Sequence, residues 1–109
     1  MTYLASPYSH PDPAVRLRRY EEAAQACAKL CKSLHVFSPI VHWHQIAQDH
    51  VLPTDAAHWW DYNRSILRRC DSMIILQLPG WEDSTGVILE RNLAAQLGLP
   101  TILKTLADL

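Results

Sequence analysis

Short apolar runs alternate along this chain with longer stretches in which apolar residues recur every three or four positions. Thr2 to Ala5 (TYLA) reads as a strand and gives way to Ser6-Pro7-Tyr8-Ser9-His10-Pro11, which is dense in turn formers. Asp12-Pro13 then supplies an N-cap acid and a proline suited to the first helical position, and Leu17, Tyr20, Ala24, Cys27, Cys31 and Leu34 follow at helical spacing. Val36-Phe37 reads as a second strand, stopped by Pro39 and followed by a long histidine-rich loop through Pro53. Thr54-Asp55 caps a second helix with Trp59, Tyr62, Ile66, Leu67 and Cys70 on one face. Met73 to Leu78 (MIILQL) has the near-continuous apolar character of a central parallel strand covered on both faces. Pro79-Gly80 ends it, Ser84 caps a third helix running to about Gly98, and Pro100 to Leu103 gives a last strand.

The order βαβαβαβ predicts an α/β fold, a three-layer, flavodoxin/Rossmann-like open parallel sheet of four to five strands flanked by helices. Ligands of such sheets collect beyond the carboxyl ends of the strands, which here means the loops at 6–12, 39–55 and 79–84. The last strand has little chain after it, so a bare sheet edge predicts a homodimer or higher homo-oligomer. With 109 residues, 49% of them hydrophobic, one core and a single domain spanning 1–109 are expected. A net charge of −1 with basic residues spread along the chain gives no footprint of a nucleic-acid or membrane binder, and points to a small ligand instead. No apolar run is long enough to cross a bilayer, and no basic segment precedes an apolar one. Three cysteines, with Cys27 and Cys31 one helical turn apart, read as small buried residues of a cytoplasmic protein rather than as a disulfide pair.

One acid breaks the pattern. Val87, Leu93, Ala94 and Leu97 define an apolar arc on the third helix, and Glu90 projects into its middle. A buried carboxylate needs a basic partner, for instance from the first helix, or a pocket. Glu90 lies six residues beyond its cap Ser84, and Asp61 lies six beyond its cap Asp55, so the two acids are expected at similar depth on either side of one cleft. Two carboxyl groups so placed suit glycosidic cleavage, one attacking an oxocarbenium-like centre and the other managing leaving group or water. A nearby helix N-terminus would favour the anionic form of Glu90, and Ser84 with the free N–H groups of that turn would hold a phosphate. His42-Trp43-His44 has a spacing at which two imidazoles can share a metal, with His10, His50 and His58 as further ligands. No cysteine or carboxylate completes that pattern, so rim histidines or substrate contacts are expected, His42 or His44 on base or phosphate, with no metal and no cofactor. Trp81, in the loop before the third helix, is the better candidate for stacking on a base than Trp59-Trp60.

Tyr3-Leu4-Ala5-Ser6-Pro7-Tyr8, Asp61, and Gly80-Trp81-Glu82-Asp83-Ser84-Thr85-Gly86 followed by Glu90 together resemble the nucleoside 2-deoxyribosyltransferase-like superfamily, and within it the small DUF1937 branch. The resemblance covers nearly the whole chain. It implies a sugar pocket lined by Tyr3, Ala5, Ser6 and Tyr8, and Asp61 binding sugar hydroxyls or assisting the leaving base. Glu90, four residues after Gly86, would be the nucleophile. Nucleotide hydrolases of the superfamily carry a serine six residues before the nucleophile to meet the 5′-phosphate, and Ser84 stands there. Two departures are the missing fifth strand and the segment from Val41 to Pro53.

These readings lead to an N-glycosidase acting on a (deoxy)nucleoside 5′-monophosphate or nucleoside, or a deoxyribosyltransferase if a base is the acceptor. Two other expectations stay open at the level of sequence. One is a nucleotide-binding sensor that keeps the pocket without the chemistry, and the other is metal-dependent hydrolysis through the histidines.

Overall fold

A computed structural model describes residues 1–109. Strands β1 (Thr2–Ala5), β2 (Val36–Phe37), β3 (Ser72–Leu76) and β4 (Thr101–Lys104) form one all-parallel sheet in the order β2-β1-β3-β4. Helices α1 (Pro13–Leu30), α2 (Pro39–His50), α3 (Ala56–Leu67) and α4 (Thr85–Leu97) flank it, giving the expected α/β architecture with four strands. The central strands show why their sequences are apolar throughout. In β1, Tyr3 and Ala5 pack with Met73 and Ile75 of β3 against α3 and α4, while Leu4 packs with Ile74 and Leu76 against Ala26 of α1. Alternate residues enter two different cores, one on each face of the sheet.

The segment expected as a long loop after β2 is instead the helix α2. Ser38 accepts a hydrogen bond from Val41 N at 3.2 Å and Pro39 follows at the first helical position, repeating the cap that Asp12 and Pro13 give α1. Read as a strand stop, Pro39 conceals a helix start, and the polar His42, His44, Gln45 and Gln48 blur the apolar stripe. The order is therefore βαβααβαβ, with α2 packed against α1.

The buried face of α1 also differs from expectation. It is carried by Ala23 and Ala26, whose small side chains let the helix lie close to the sheet, while Leu17 is 45% exposed and Cys31, just beyond the helix, is exposed. The three cysteines are unpaired. No helix is long and apolar enough to cross a membrane. Strand β4 hydrogen-bonds to β3 alone, and its Ile102 is 54% exposed.

Helix α2 ends at Val51, which holds φ 52° and ψ 52°, a left-handed conformation that a β-branched residue adopts at a cost. The side chain is 91% exposed, so it gains little from packing. Val51→Gly is expected to raise stability by about 0.5–1 kcal/mol, because glycine relieves the strain at the helix end more than its chain entropy opposes folding. Urea denaturation of the two proteins measures the difference.

Candidate active site

Glu90 is placed by the way α4 begins. The Ser84 hydroxyl accepts from Val87 N at 3.3 Å and its carbonyl accepts from Ile88 N at 2.9 Å, fixing the phase of the helix. Val87, Leu93 and Ala94 then face the sheet, and Glu90, between them, is 5% exposed. No basic side chain pairs with it; the three ion pairs of the protein are Met1 with Asp71, Arg18 with Glu22, and Arg64 with Asp61. Its partner is the Tyr3 hydroxyl, donated to Oε2 from the middle of the sheet.

Glu90 forms part of the wall of a cleft that is open on one side to solvent. Ser84 and Gly86 join it from α4, and Ser6 and Tyr8 from the loop after β1. Ile40, Trp43 and His44 come from α2, Asp55 from the loop before α3, and Trp59 and Asn63 from α3. A Cβ on Gly86 would lie 4.0 Å from both Glu90 Oε1 and Ser84 Oγ and 3.8 Å from the Ala56 side chain, so the glycine keeps a notch open beside the carboxyl. Tyr8 and His44 share a hydrogen bond of 2.7 Å at Nδ1, and the Tyr20 ring stacks on His44 at 4.2 Å. Burial holds the His44 imidazole below its ordinary pKa, and Arg16 adds to the effect. The Arg19 guanidinium donates to the carbonyls of Tyr8, Ser9 and Pro79, tying together the loops that follow β1 and β3. Three polar atoms of residues on the wall are buried without a partner: Ser6 Oγ, Trp43 Nε1 and Asn63 Oδ1.

The residues singled out from sequence fall into two groups. Glu90, Ser84, Gly86, Ser6 and Tyr8 meet in the cleft; Tyr3 reaches it through Glu90, and Ala5 lies in the core beneath. Asp61, His42 and Trp81 do not. The Asp61 side chain is 84% exposed and pairs with Arg64 at 2.7 Å. Equal distance from a cap sets depth along a helix but not direction around it. Asp61 lies two residues from both Trp59 and Asn63, which puts it on the opposite side from those two cleft residues. His42 is exposed on a groove beside Cys27 and Val36, and its neighbour His44 takes the place in the cleft. Trp81, in a short 3₁₀ turn, packs half-buried against the core and lies with Val87 and Arg91 in a separate groove, the Arg91 guanidinium 5.8 Å from the ring centre. Nowhere do three or more His, Cys, Asp or Glu side chains converge as they would around a metal ion. Of the other wall residues, the sequence reading offers His44 as the alternative to His42, whereas Trp43, Asp55 and Asn63 are not assigned to the cleft; the Ser38-Pro39 cap of α2 points to Trp43, and the i, i+4 spacing with Trp59 points to Asn63.

Burial pushes the Glu90 carboxyl up to about 8, with the Tyr3 hydrogen bond opposing, so the resting group is protonated at neutral pH rather than held anionic by the helix terminus. A folded-state value above the ordinary 4.5 means that the native protein binds more protons than the unfolded chain between these two values. The stability contribution of this group is therefore full below pH 4.5 and falls as pH rises toward 8. Glu90→Gln keeps an acceptor for Tyr3 and removes the ionisation. The variant is expected to match wild type near pH 4.5 and to exceed it at pH 7 by up to about 3 kcal/mol, measured by urea denaturation across that range.

Comparison with functionally described proteins finds no match. A family defined as a domain of unknown function, DUF1937, matches residues 1–105, a span that includes every strand and every residue of the cleft. The chain belongs to the DUF1937 family.

Proposed function

We propose that this protein cleaves the N-glycosidic bond of a nucleoside 5′-monophosphate or nucleoside, with Glu90 as nucleophile at C1′. The observation that carries the reading is a buried carboxyl on the wall of an open cleft, held at Oε2 by Tyr3 while Oε1 borders the Gly86 notch. Ionised Glu90 forms a bond to C1′ as the base departs with the electrons of the C–N bond and takes up a proton. Water then opens the glycosyl ester, releasing the sugar and restoring the carboxylate. A second base in place of water would make the reaction a deoxyribosyl transfer. Tyr3 stabilises the anion and orients it. Ser84 and the first-turn N–H groups of α4 suit a phosphate, and the unpartnered Ser6 hydroxyl suits a sugar hydroxyl. With Asp61 on the outer face of α3, Asp55 is the second carboxyl on the wall. The resemblance of the ordered motifs to nucleoside 2-deoxyribosyltransferase-like proteins supports the same chemistry.

A second reading, a nucleotide sensor without turnover, is favoured by the protonated resting state of Glu90. Thermal stabilisation by nucleotides with no base released would identify it. The bare edge of β4 supports assembly into a homodimer or higher homo-oligomer.

Chromatographic detection of free base from a panel of nucleosides and 5′-monophosphates tests the glycosidase. Glu90→Gln is expected to abolish release, while Asp61→Asn changes kcat/KM by no more than about twofold. Because the ionised carboxylate attacks, kcat/KM should rise about tenfold per pH unit below the Glu90 value of about 8 and level off above it. Release that survives Glu90→Gln would sink the assignment.

A further inference from the structure

We propose that Trp43 and Asn63 form a base-reading pair, selecting a planar heterocycle whose edge presents an N–H donor beside an acceptor. The proposal rests on the glycosidase reading for the nucleotide character of the ligand, and names the part of the ligand that α2 and α3 recognise. Trp43 Nε1 and Asn63 Oδ1 are buried and lack any partner, and both residues form the wall of one cleft. Buried polar atoms are nearly always paired, so an orphaned donor and an orphaned acceptor on one wall mark what a ligand would complete. The neighbouring Trp59 shows the contrast, since its Nε1–H is already spent on the Pro53 carbonyl at 2.8 Å. Trp43 is also fixed in place. Its ring meets Trp59 at 4.5 Å, Tyr62 at 4.8 Å and His42 at 4.7 Å, so its N–H is held rather than free to seek another acceptor.

The chemistry of the wall favours a base over the other parts of a nucleotide. Two tryptophans offer an apolar, aromatic surface, and the polar pair is uncharged. The groups suited to phosphate belong to the start of α4, so phosphate and base would be taken by different elements. Asn63 adds its amide N–H groups to the carbonyl, and a side-chain amide reads a donor beside an acceptor in the way it reads adenine. Trp43 contributes an unpaired donor that an acceptor on the ligand would satisfy.

The test uses Glu90→Gln as the parent, so that ligands bind without turnover, and calorimetry with pairs of 5′-monophosphates that differ by one N–H group. The pairs are those of adenine and purine, of cytosine and pyrimidin-2-one, and of uracil and N3-methyluracil, with ribose 5-phosphate as the control for an intact phosphate site. Removing the donor from the preferred base is expected to weaken binding about tenfold or more in the parent, and the difference should vanish when Asn63→Ala is added. Trp43→Phe, which keeps an aromatic ring and removes the N–H, is expected to weaken the preferred nucleotide about tenfold and to leave ribose 5-phosphate unchanged. The pair is overturned if the donor effect persists in Asn63→Ala, if both variants weaken ribose 5-phosphate equally, or if no nucleotide binds. Base release by wild type is scored separately. Donor discrimination without release refutes the glycosidase and keeps the pair, whereas release without discrimination refutes the pair alone.

Discussion

The Glu90 carboxyl lies against an apolar core with one hydrogen-bond donor, the Tyr3 hydroxyl, and the surrounding fold is arranged around that contact. Tyr3 belongs to β1, which is hydrogen-bonded on both sides, in register with Phe37 of β2 and Met73 of β3. Its ring is fully buried between the sheet and the helices α3 and α4. The donor is thus anchored by pairing and packing that exist for stability. The acceptor is anchored equally well, because Val87, Leu93 and Ala94 fix the rotation of α4. An ionised carboxyl is costly in this position, so the resting group keeps its proton, and the rigidity of the sheet holds donor and acceptor together.

The two faces of the sheet have different tasks. Leu4, Ile74 and Leu76 make a purely apolar contact with α1, while the opposite face combines core packing with the polar Tyr3 and Glu90. Because every strand runs the same way, the starts of α2 and α4 lie at the carboxyl edge, and the turn from α2 brings the start of α3 into the same cleft. Side chains from three helices and one strand end can meet there without any long loop.

Much of this was legible in the sequence. The alternation of short apolar runs with periodic stretches identified β1, β3, α1 and α4, and Glu90 stood out because an acid interrupts an apolar arc. What was lost was lost at Pro39. A proline after an apolar pair reads equally as the end of a strand or the first residue of a helix, and the pairing of Val36 and Phe37 with β1 leaves room for both. Without α2, neither Trp43 nor His44 can be assigned to a wall, and His42 is as good a choice as either. Asp61 failed for another reason: position along a helix was counted, and rotation was not. Trp81 was close in sequence to the right helix start, yet the 3₁₀ turn carries it into a separate groove beside α4. Membership of DUF1937 agrees with the motifs that survived.

Arg19 links these observations to a part of the chain far from Glu90. From α1 it reaches the backbone of both the Tyr8-Ser9 loop and Pro79, and a Cβ on Gly80 would come within 2.8 Å of its Nη2. One cation therefore sets the spacing of two loops at the cleft mouth. A single-residue insertion within α1 between Arg19 and Ala23 would turn that side chain by about 100° relative to Ala23 and Ala26, which seat the helix on the sheet. Such a change, harmless to the helix itself, would release both loops at once, so drift in the length of α1 is constrained by the shape of a site to which the helix contributes no wall.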